Sequence, residues 1–308
     1  METNKSVAIL MCTYNGEKFI EEQIKSIFTQ TYKNWVLYVS DDGSTDGTIS
    51  KIKTLAREYG YDNIIFLHGP KAGFAKNFIS LLSINKQYDY YAFCDQDDIW
   101  HKDKLKAGIE LINRKESNEP VLYCGRTRLI DQFGNVIGYS PLFRKCPGFR
   151  NSLVQSLAGG NTMIFNSELH SILCNLNVSS NFISHDWTVY QLASACGSHI
   201  IYDSKAYIDY RQHENNLIGA NTNISAKIVR LRMLIHNEFK FYNDVNEHNL
   251  LKLTDKFTKE NCRIFNLFIL MRKSNFFMRV RLFFKLRIYR QTFWGNCGLI
   301  LAILSNKI

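Results

Sequence analysis

The chain reads as a three-layer α/β protein with a mainly parallel central sheet, followed by a basic helical extension. Three observations predict this. Short apolar runs of strand length alternate with segments of helical periodicity through the first hundred residues. Three of those runs end in small and polar residues, at 13–16, 41–48 and 95–98, and open parallel sheets bind ligands outside the carboxyl ends of their strands. Charge also divides along the chain: residues 1–220 hold 22 Lys/Arg against 23 Asp/Glu, a net of −1, and residues 221–308 hold 16 against 5, a net of +11.

The elements follow in order. Residues 6–12 (SVAILMC) form an unbroken apolar run, the pattern of a strand covered on both faces. Residues 13–16 are turn chemistry, and 17–30 repeat Phe19, Ile20, Ile24, Ile27 and Phe28 at helical spacing. Residues 35–39 are a second strand, 63–67 a third and 88–94 a fourth. The helices between them run to about Tyr59, with Asp46 as its N-cap, and over 74–84. A basic helix is expected over 101–114, a strand over 121–130 with a hairpin turn at 131–135, and a glycine-hinged strand over 157–165. A helix opens at Ile183-Ser184-His185-Asp186-Trp187 and runs to about Cys196, a strand covers 200–210, and helices dominate from 226 onward.

Length and composition narrow the class. At 308 residues, 45% apolar and with only four prolines, the chain can bury a full core and shows no linker or repeat. Its eight cysteines include no CxxC pair, which argues for free thiols in a reducing, cytoplasmic compartment and against a zinc site. The first apolar run is too short for a signal peptide. Balanced charge over 1–220, with acids in surplus at the strand ends, argues against a nucleic-acid binder.

Chemistry concentrates at residues 90–100, YYAFCDQDDIW. Side chains alternate faces on a strand, so Asp95 and Asp97 point the same way. Two carboxylates at the end of a buried strand repel each other and resist desolvation unless a cation neutralises them. Hard oxygen ligands suit Mg2+ or Mn2+, which also take substrate phosphates as ligands. A solvated acidic turn, with Asp98 capping the next helix, would use the same residues.

Three segments in order, Cys12-Thr13-Tyr14-Asn15-Gly16, Ser40-Asp41-Asp42-Gly43-Ser44-Thr45-Asp46 and Phe93-Cys94-Asp95-Gln96-Asp97-Asp98-Ile99-Trp100, resemble the family 2 inverting glycosyltransferases. His185-Asp186-Trp187 and Tyr210-Arg211-Gln212-His213-Glu214-Asn215-Asn216 are similar to the bacterial rhamnosyltransferase branch. The resemblance spans about 6–220. It implies a Rossmann-like nucleotide-diphospho-sugar transferase fold of the A type, with residues 1–100 binding the nucleotide sugar and 101–220 the acceptor. It places Thr13, Tyr14 and Asn15 at base and ribose, Asp42 and Asp41 at the pyrimidine ring, and Lys76 near the phosphates. Asp95 falls near ribose and metal, Asp97 on the metal, and His213 as a further metal ligand or an ordinary loop residue. Asp186 becomes the catalytic base, although after Ser184 it could also cap its helix. Gly160, His185, Trp187 and Arg211 fall on the acceptor side; His185 stands where relatives carry a glutamate, and either assists or packs.

The implied reaction is metal-dependent transfer of a sugar, L-rhamnose from a dTDP-linked donor, to a hydroxyl of a growing, lipid-linked surface polysaccharide. A UDP-hexose or UDP-N-acetylhexosamine donor is the alternative, and a binding module without turnover the rival from another class. Residues 271–290 hold seven Lys/Arg and no acid among many aromatics, and 292–304 are apolar but too short to span a bilayer. Residues 271–304 are therefore expected to lie on an anionic membrane surface, peripheral to the inner face, or else to pack as a helical unit or against a homodimer partner.

Overall fold

The structure, a computed structural model, describes residues 5–115, 118–213 and 238–308. The stretch 226–237, where helix was expected, lies outside the described residues. The first half alternates as the spacing demands: β1 (Val7–Thr13), α1 (Ile20–Phe28), β2 (Trp35–Asp41), α2 (Thr48–Tyr59), β3 (Ile64–His68), α3 (Phe74–Leu81) and β4 (Tyr90–Cys94). These four strands pair in parallel in the order β3-β2-β1-β4. All seven residues of β1 are buried. Val7, Ile9 and Met11 pack towards α1 and α2, while Ala8, Leu10 and Cys12 pack towards α3. Cover on both faces is why this strand is apolar throughout instead of alternating.

The second half is mixed. β5 (Ile99–Trp100), α4 (Lys104–Ile112), β6 (Val121–Ile130), β7 (Val136–Tyr139) and α5 (Phe149–Ser152) precede a 3-10 turn (Gly160–Thr162). β8 (Ile164–Asn166), α6 (Ser167–Leu173), α7 (His185–Ala195) and β9 (His199–Arg211) complete it. The sheet continues β4-β8-β6-β9-β5, with β7 paired to β6. β8 runs antiparallel to its neighbours, and β9 runs parallel to β6.

β5, a strand absent from the sequence expectations, explains the curl of this sheet. Cys94 and Ile99 can be separated by about 17 Å at most, whereas four strand spacings on a flat sheet come to about 19 Å. The far edge must therefore bend back towards the end of β4. That brings β9 to the acidic loop.

Residues 157–165 correct the expected glycine-hinged strand: only the end of the segment joins the sheet. The side chain of Asn161 turns inward to Asp98, and a Cβ at position 160 would meet His185 Nε2 at 2.0 Å. Glycine is needed there for close approach, not for a hinge.

The C-terminal unit comprises α8 (Glu238–Leu251), α9 (Lys259–Lys273), α10 (Phe276–Leu286) and α11 (Phe293–Leu304). It has its own apolar core, in which Phe265, Phe268, Leu282, Leu286, Leu299 and Ile303 join Phe149 and Leu153 beside α5. Among the described residues, no helix is long and apolar enough to cross a membrane.

Candidate functional site

Register decides what meets at the sheet edge. Thr13 lies opposite Asp41, and Met11 opposite Cys94, so the loops after β1, β2 and β4 leave the sheet side by side. Polar side chains then tie them together. Gln96 clamps the backbone of Tyr14, accepting from its N–H at 2.9 Å and donating to its carbonyl at 3.0 Å. Asn15, in a left-handed conformation (φ 46°), accepts from the Thr45 N–H at 2.8 Å. The Tyr14 ring is left largely exposed, as a stacking platform requires.

The two acids after β2 do different work. Asp41 accepts from the Thr13 hydroxyl (2.7 Å), the Ser44 hydroxyl (2.5 Å) and the Ser44 N–H (2.8 Å). Burial pushes its carboxyl up, but the Ser44 and Thr13 hydrogen bonds outweigh that and hold it below its usual value. Asp41 is thus committed to its own loop. Asp42 reaches across to the loop after β3, accepting from the N–H groups of Lys71 (2.7 Å) and Gly73 (2.9 Å). Lys76, half-buried on α3, makes no hydrogen bond or ion pair to the described residues.

Asp95, Asp97 and Asp98 crowd the end of β4. Burial, then the charges of Asp97 and Asp186, push the Asp95 carboxyl up to about 8. Asp97 Oδ2 lies 2.9 Å from His213 Nε2, and its carbonyl accepts from Arg211 Nε at 3.0 Å. Asp98 does not cap α4, which begins after Asp103. It is wholly buried, accepting from Asn161 Nδ2 at 2.5 Å and the Arg211 N–H at 3.3 Å. It therefore bolts together the acidic loop, the 160–162 turn and the end of β9. Arg211, expected on the acceptor side, is also internal. Its guanidinium is 1% exposed, donates to Glu22 (2.9 Å) and the Gln132 carbonyl (3.2 Å), and lies over the Phe19 ring.

Asp186 sits in the first turn of α7. Ser184 is the N-cap, accepting from the Trp187 N–H at 3.4 Å, and Asp186 Oδ1 accepts from the same N–H at 2.6 Å. Burial raises the Asp186 carboxyl above its ordinary value against the pull of hydrogen bonds from Ser184, Trp187 and Gly160. The charge of Asp186 adds to the upward push on Asp95, so the two carboxylates lie near one another. His185 packs: it stacks on Phe78 at 4.0 Å, meets Phe93 edge-on beneath Gly160, and is kept neutral by burial, its pKa lowered to about 3. Trp187 turns away, donating from Nε1 to the Ser152 carbonyl at 2.7 Å.

Among the described residues, no three of His, Cys, Asp and Glu form a ready-made metal cage. The donor set nevertheless fits a hard cation. Asp97 and His213 are in contact, and Asp95 lies beside them with its charge opposed by two other carboxylates. Mg2+ characteristically takes one or two carboxylates and leaves its other positions to water and substrate phosphates.

Sequence reasoning missed Gln96, Glu22 and Lys104. Gln96 stood between the acids and could have been suspected. Lys104 could not, because helical spacing assigns lysine to solvent. It is 1% exposed, with Nζ 3.4 Å from the Trp100 ring centroid and its pKa lowered to about 7 by burial.

Known proteins are similar to this chain in sequence and in fold. Residues 8–170 match the model of glycosyl transferase family 2. Over 238 residues the chain is 34% identical to the dTDP-rhamnosyl transferase RfbG of Shigella flexneri, covering 73% of this chain and 78% of that one. It is 32% identical over 126 residues to an uncharacterized glycosyltransferase of Rickettsia prowazekii, spanning 37% of that relative and 41% of this chain. Among solved structures, TarS 1–349 of S. aureus in complex with UDP superposes with a TM-score of 0.53 at 17% identity, over 79% of this chain and 66% of that one. Mannosyltransferase PcManGT from Pyrobaculum calidifontis, in complex with GDP-Man and Mn2+, gives 0.53 at 16%, over 99% and 86%. At such identities the structural likeness is one of fold. The family match covers more than half of the chain and the Shigella relative most of it, and with loops converging on one sheet edge the conclusion is plain: the chain belongs to glycosyl transferase family 2 and is a glycosyltransferase.

Proposed function

We propose that the chain transfers L-rhamnose from a dTDP-linked donor, with inversion, to a hydroxyl of a growing, lipid-linked surface polysaccharide at the inner face of the cell membrane. Similarity to the Shigella dTDP-rhamnosyl transferase supports the donor. One observation carries the mechanism: Asp186, a partly buried carboxylate in the first turn of α7, lies near enough to Asp95 for their charges to interact.

Thr13, Tyr14 and Asn15 would cradle base and ribose, with Asp42 accepting from the ring N–H of thymine. Its two oxygens already hold the loop at Lys71 and Gly73, so donor binding and loop position are linked. Asp95, Asp97 and His213 would hold Mg2+ or Mn2+, and that ion supplies Lewis-acid neutralisation of the diphosphate as negative charge develops on it. Asp186 accepts the proton of the acceptor hydroxyl while its oxygen bonds to the anomeric carbon. The bond from that carbon to the phosphate oxygen breaks on the opposite face, and a β-linked donor gives an α-linkage. A carboxyl raised by burial is a better proton acceptor than an exposed one. The first hundred residues then serve the donor and residues 101–220 the acceptor.

A UDP-linked hexose or N-acetylhexosamine donor is the second reading, favoured by a TarS structure in complex with UDP-GlcNAc, a likeness of fold alone. Calorimetry of dTDP, UDP and GDP with Mn2+ decides between them. Tightest binding of dTDP supports the proposal, preference for UDP supports the alternative, and no metal-dependent binding of any nucleotide diphosphate overturns both.

A further inference from the structure

We propose that the outer face of α10 and α11 is a docking surface for an anionic lipid bilayer. This deepens the proposed membrane setting, which supplies its use, but it stands on the surface itself. On α10, Phe277 is 82% and Phe284 71% exposed, seven residues apart and so on one face. Arg281 and Lys285 lie on that face between and beside them, both exposed. The opposite face, Leu282 and Leu286, is buried in the C-terminal core. On α11 the pattern recurs. Phe293 is 74% exposed, and Ile300, Leu301 and Leu304 continue its stripe, while Leu299 and Ile303 are buried. Large apolar side chains scattered singly are ordinary, but aligned along two adjacent helices they mark an interaction surface.

Charge selects the occupant. Residues 261–308 contain nine Lys/Arg and no Asp/Glu. Arg272 and Arg279 are held inside, and Lys273 pairs with Glu247. Arg272 pairs with Asp244 and Glu247 and donates to the Ile308 carbonyl, and Arg279 donates to the Ile303 (3.1 Å) and Ser274 (2.9 Å) carbonyls. Arg281, Lys285 and Arg287 point outward. A second copy meeting this face through its own equivalent would oppose base to base. Residues 214–237 carry Glu214 against Lys227, Arg230 and Arg232, so this segment too matches the face in sign. An anionic leaflet supplies both requirements at once: headgroup charge for the bases and an acyl boundary for the rings. The 12 residues of α11 reach only about 18 Å, so it lies on such a surface and does not cross it.

The test is flotation of the full chain with vesicles of phosphatidylcholine alone and with added phosphatidylglycerol. Retention is expected only on the anionic vesicles and should weaken with salt. Phe277→Ser/Phe284→Ser and Arg281→Glu/Lys285→Glu should each lower retention about tenfold, with unchanged circular dichroism and unchanged donor binding by calorimetry. Those controls separate this failure from failure of the transferase reading. Equal binding to both vesicles, or full retention by the variants, overturns the proposal. So does absence of vesicle binding with a dimer that the phenylalanine variant dissociates, which would assign the face to a second copy.

Discussion

Charge of one sign gathers in two regions of this molecule, and the two handle it in opposite ways. At the sheet edge, Asp98 is buried, and Asp97 and Asp98 are fixed by Asn161, Arg211 and His213 with Asp95 beside them. In the C-terminal unit the bases divide: Arg272 and Arg279 turn inward to carboxylates and carbonyls, while Arg281 and Lys285 point to solvent. Buried like charge can persist only beside a specific counterion held in a fixed geometry. Outward like charge suits an extended partner of opposite sign and needs no fixed geometry. Substitutions in the first region should therefore change chemistry or folding, and in the outer part of the second they should change only where the protein sits.

The largest effect is expected at Asp186. Asp186→Asn keeps the shape and the acceptor oxygen that meets the Trp187 N–H but loses basicity. kcat should fall about a thousandfold with donor affinity unchanged, as read by initial rates and calorimetry. Equal turnover would remove Asp186 from catalysis. The pH profile carries the same signature. Burial raises the Asp186 carboxyl, so its inactive, protonated form gains population on acidification sooner than an exposed aspartate would. The acid limb of kcat should lie above the ordinary aspartate range, and the residual activity of Asp186→Asn should lack it.

Next in size is Arg272. Arg272→Ala leaves Glu247, itself nearly buried, with only the longer contact to Lys273. Breaking such a pair from one side costs about 3 kcal/mol, visible as a lower denaturant midpoint. The loss should fall on the C-terminal unit and leave donor binding intact. Joint loss of both would show that the two regions fold as one.

Asp98 comes third. Asp98→Ala strands the Asn161 amide and the Arg211 N–H in the interior, at about 2 kcal/mol for unsatisfied groups of this kind. Asp98→Asn keeps an acceptor and relieves repulsion with Asp95 and Asp97, so its loss should be smaller. Equal losses in the two variants would mean that the charge of Asp98, not its hydrogen bonds, holds the turn at 160–162.

Much of this was legible in the sequence because periodicity reports burial. β1, β2, α2 and β6 fall within a residue or two of their expected bounds, and in β1 cover on both faces leaves an unbroken apolar run. The acids at 95–98 stood out because charge after such a run is costly. What a side chain faces was not legible. Asp98 read as a cap and Arg211 as an acceptor contact, yet both are internal bolts joining residues more than fifty positions apart. Lys104 was not singled out at all, because nothing in a basic helical segment marks which lysine is buried. β5, two residues long, carries no periodicity at all.

The smallest effect is the most diagnostic of the contrast. Arg281 is exposed on the outer face of α10 and makes no hydrogen bond or ion pair among the described residues, unlike Arg279 two positions earlier, which joins α10 to the Ile303 carbonyl of α11. Arg281→Ala should leave both the denaturant midpoint and its slope unchanged, whereas Arg279→Ala should lower the midpoint by removing buried hydrogen bonds to the Ile303 and Ser274 carbonyls. Equal loss in the two would mean that Arg281 is also covered in solution, and the outward-facing half of the comparison would collapse into the inward-facing one.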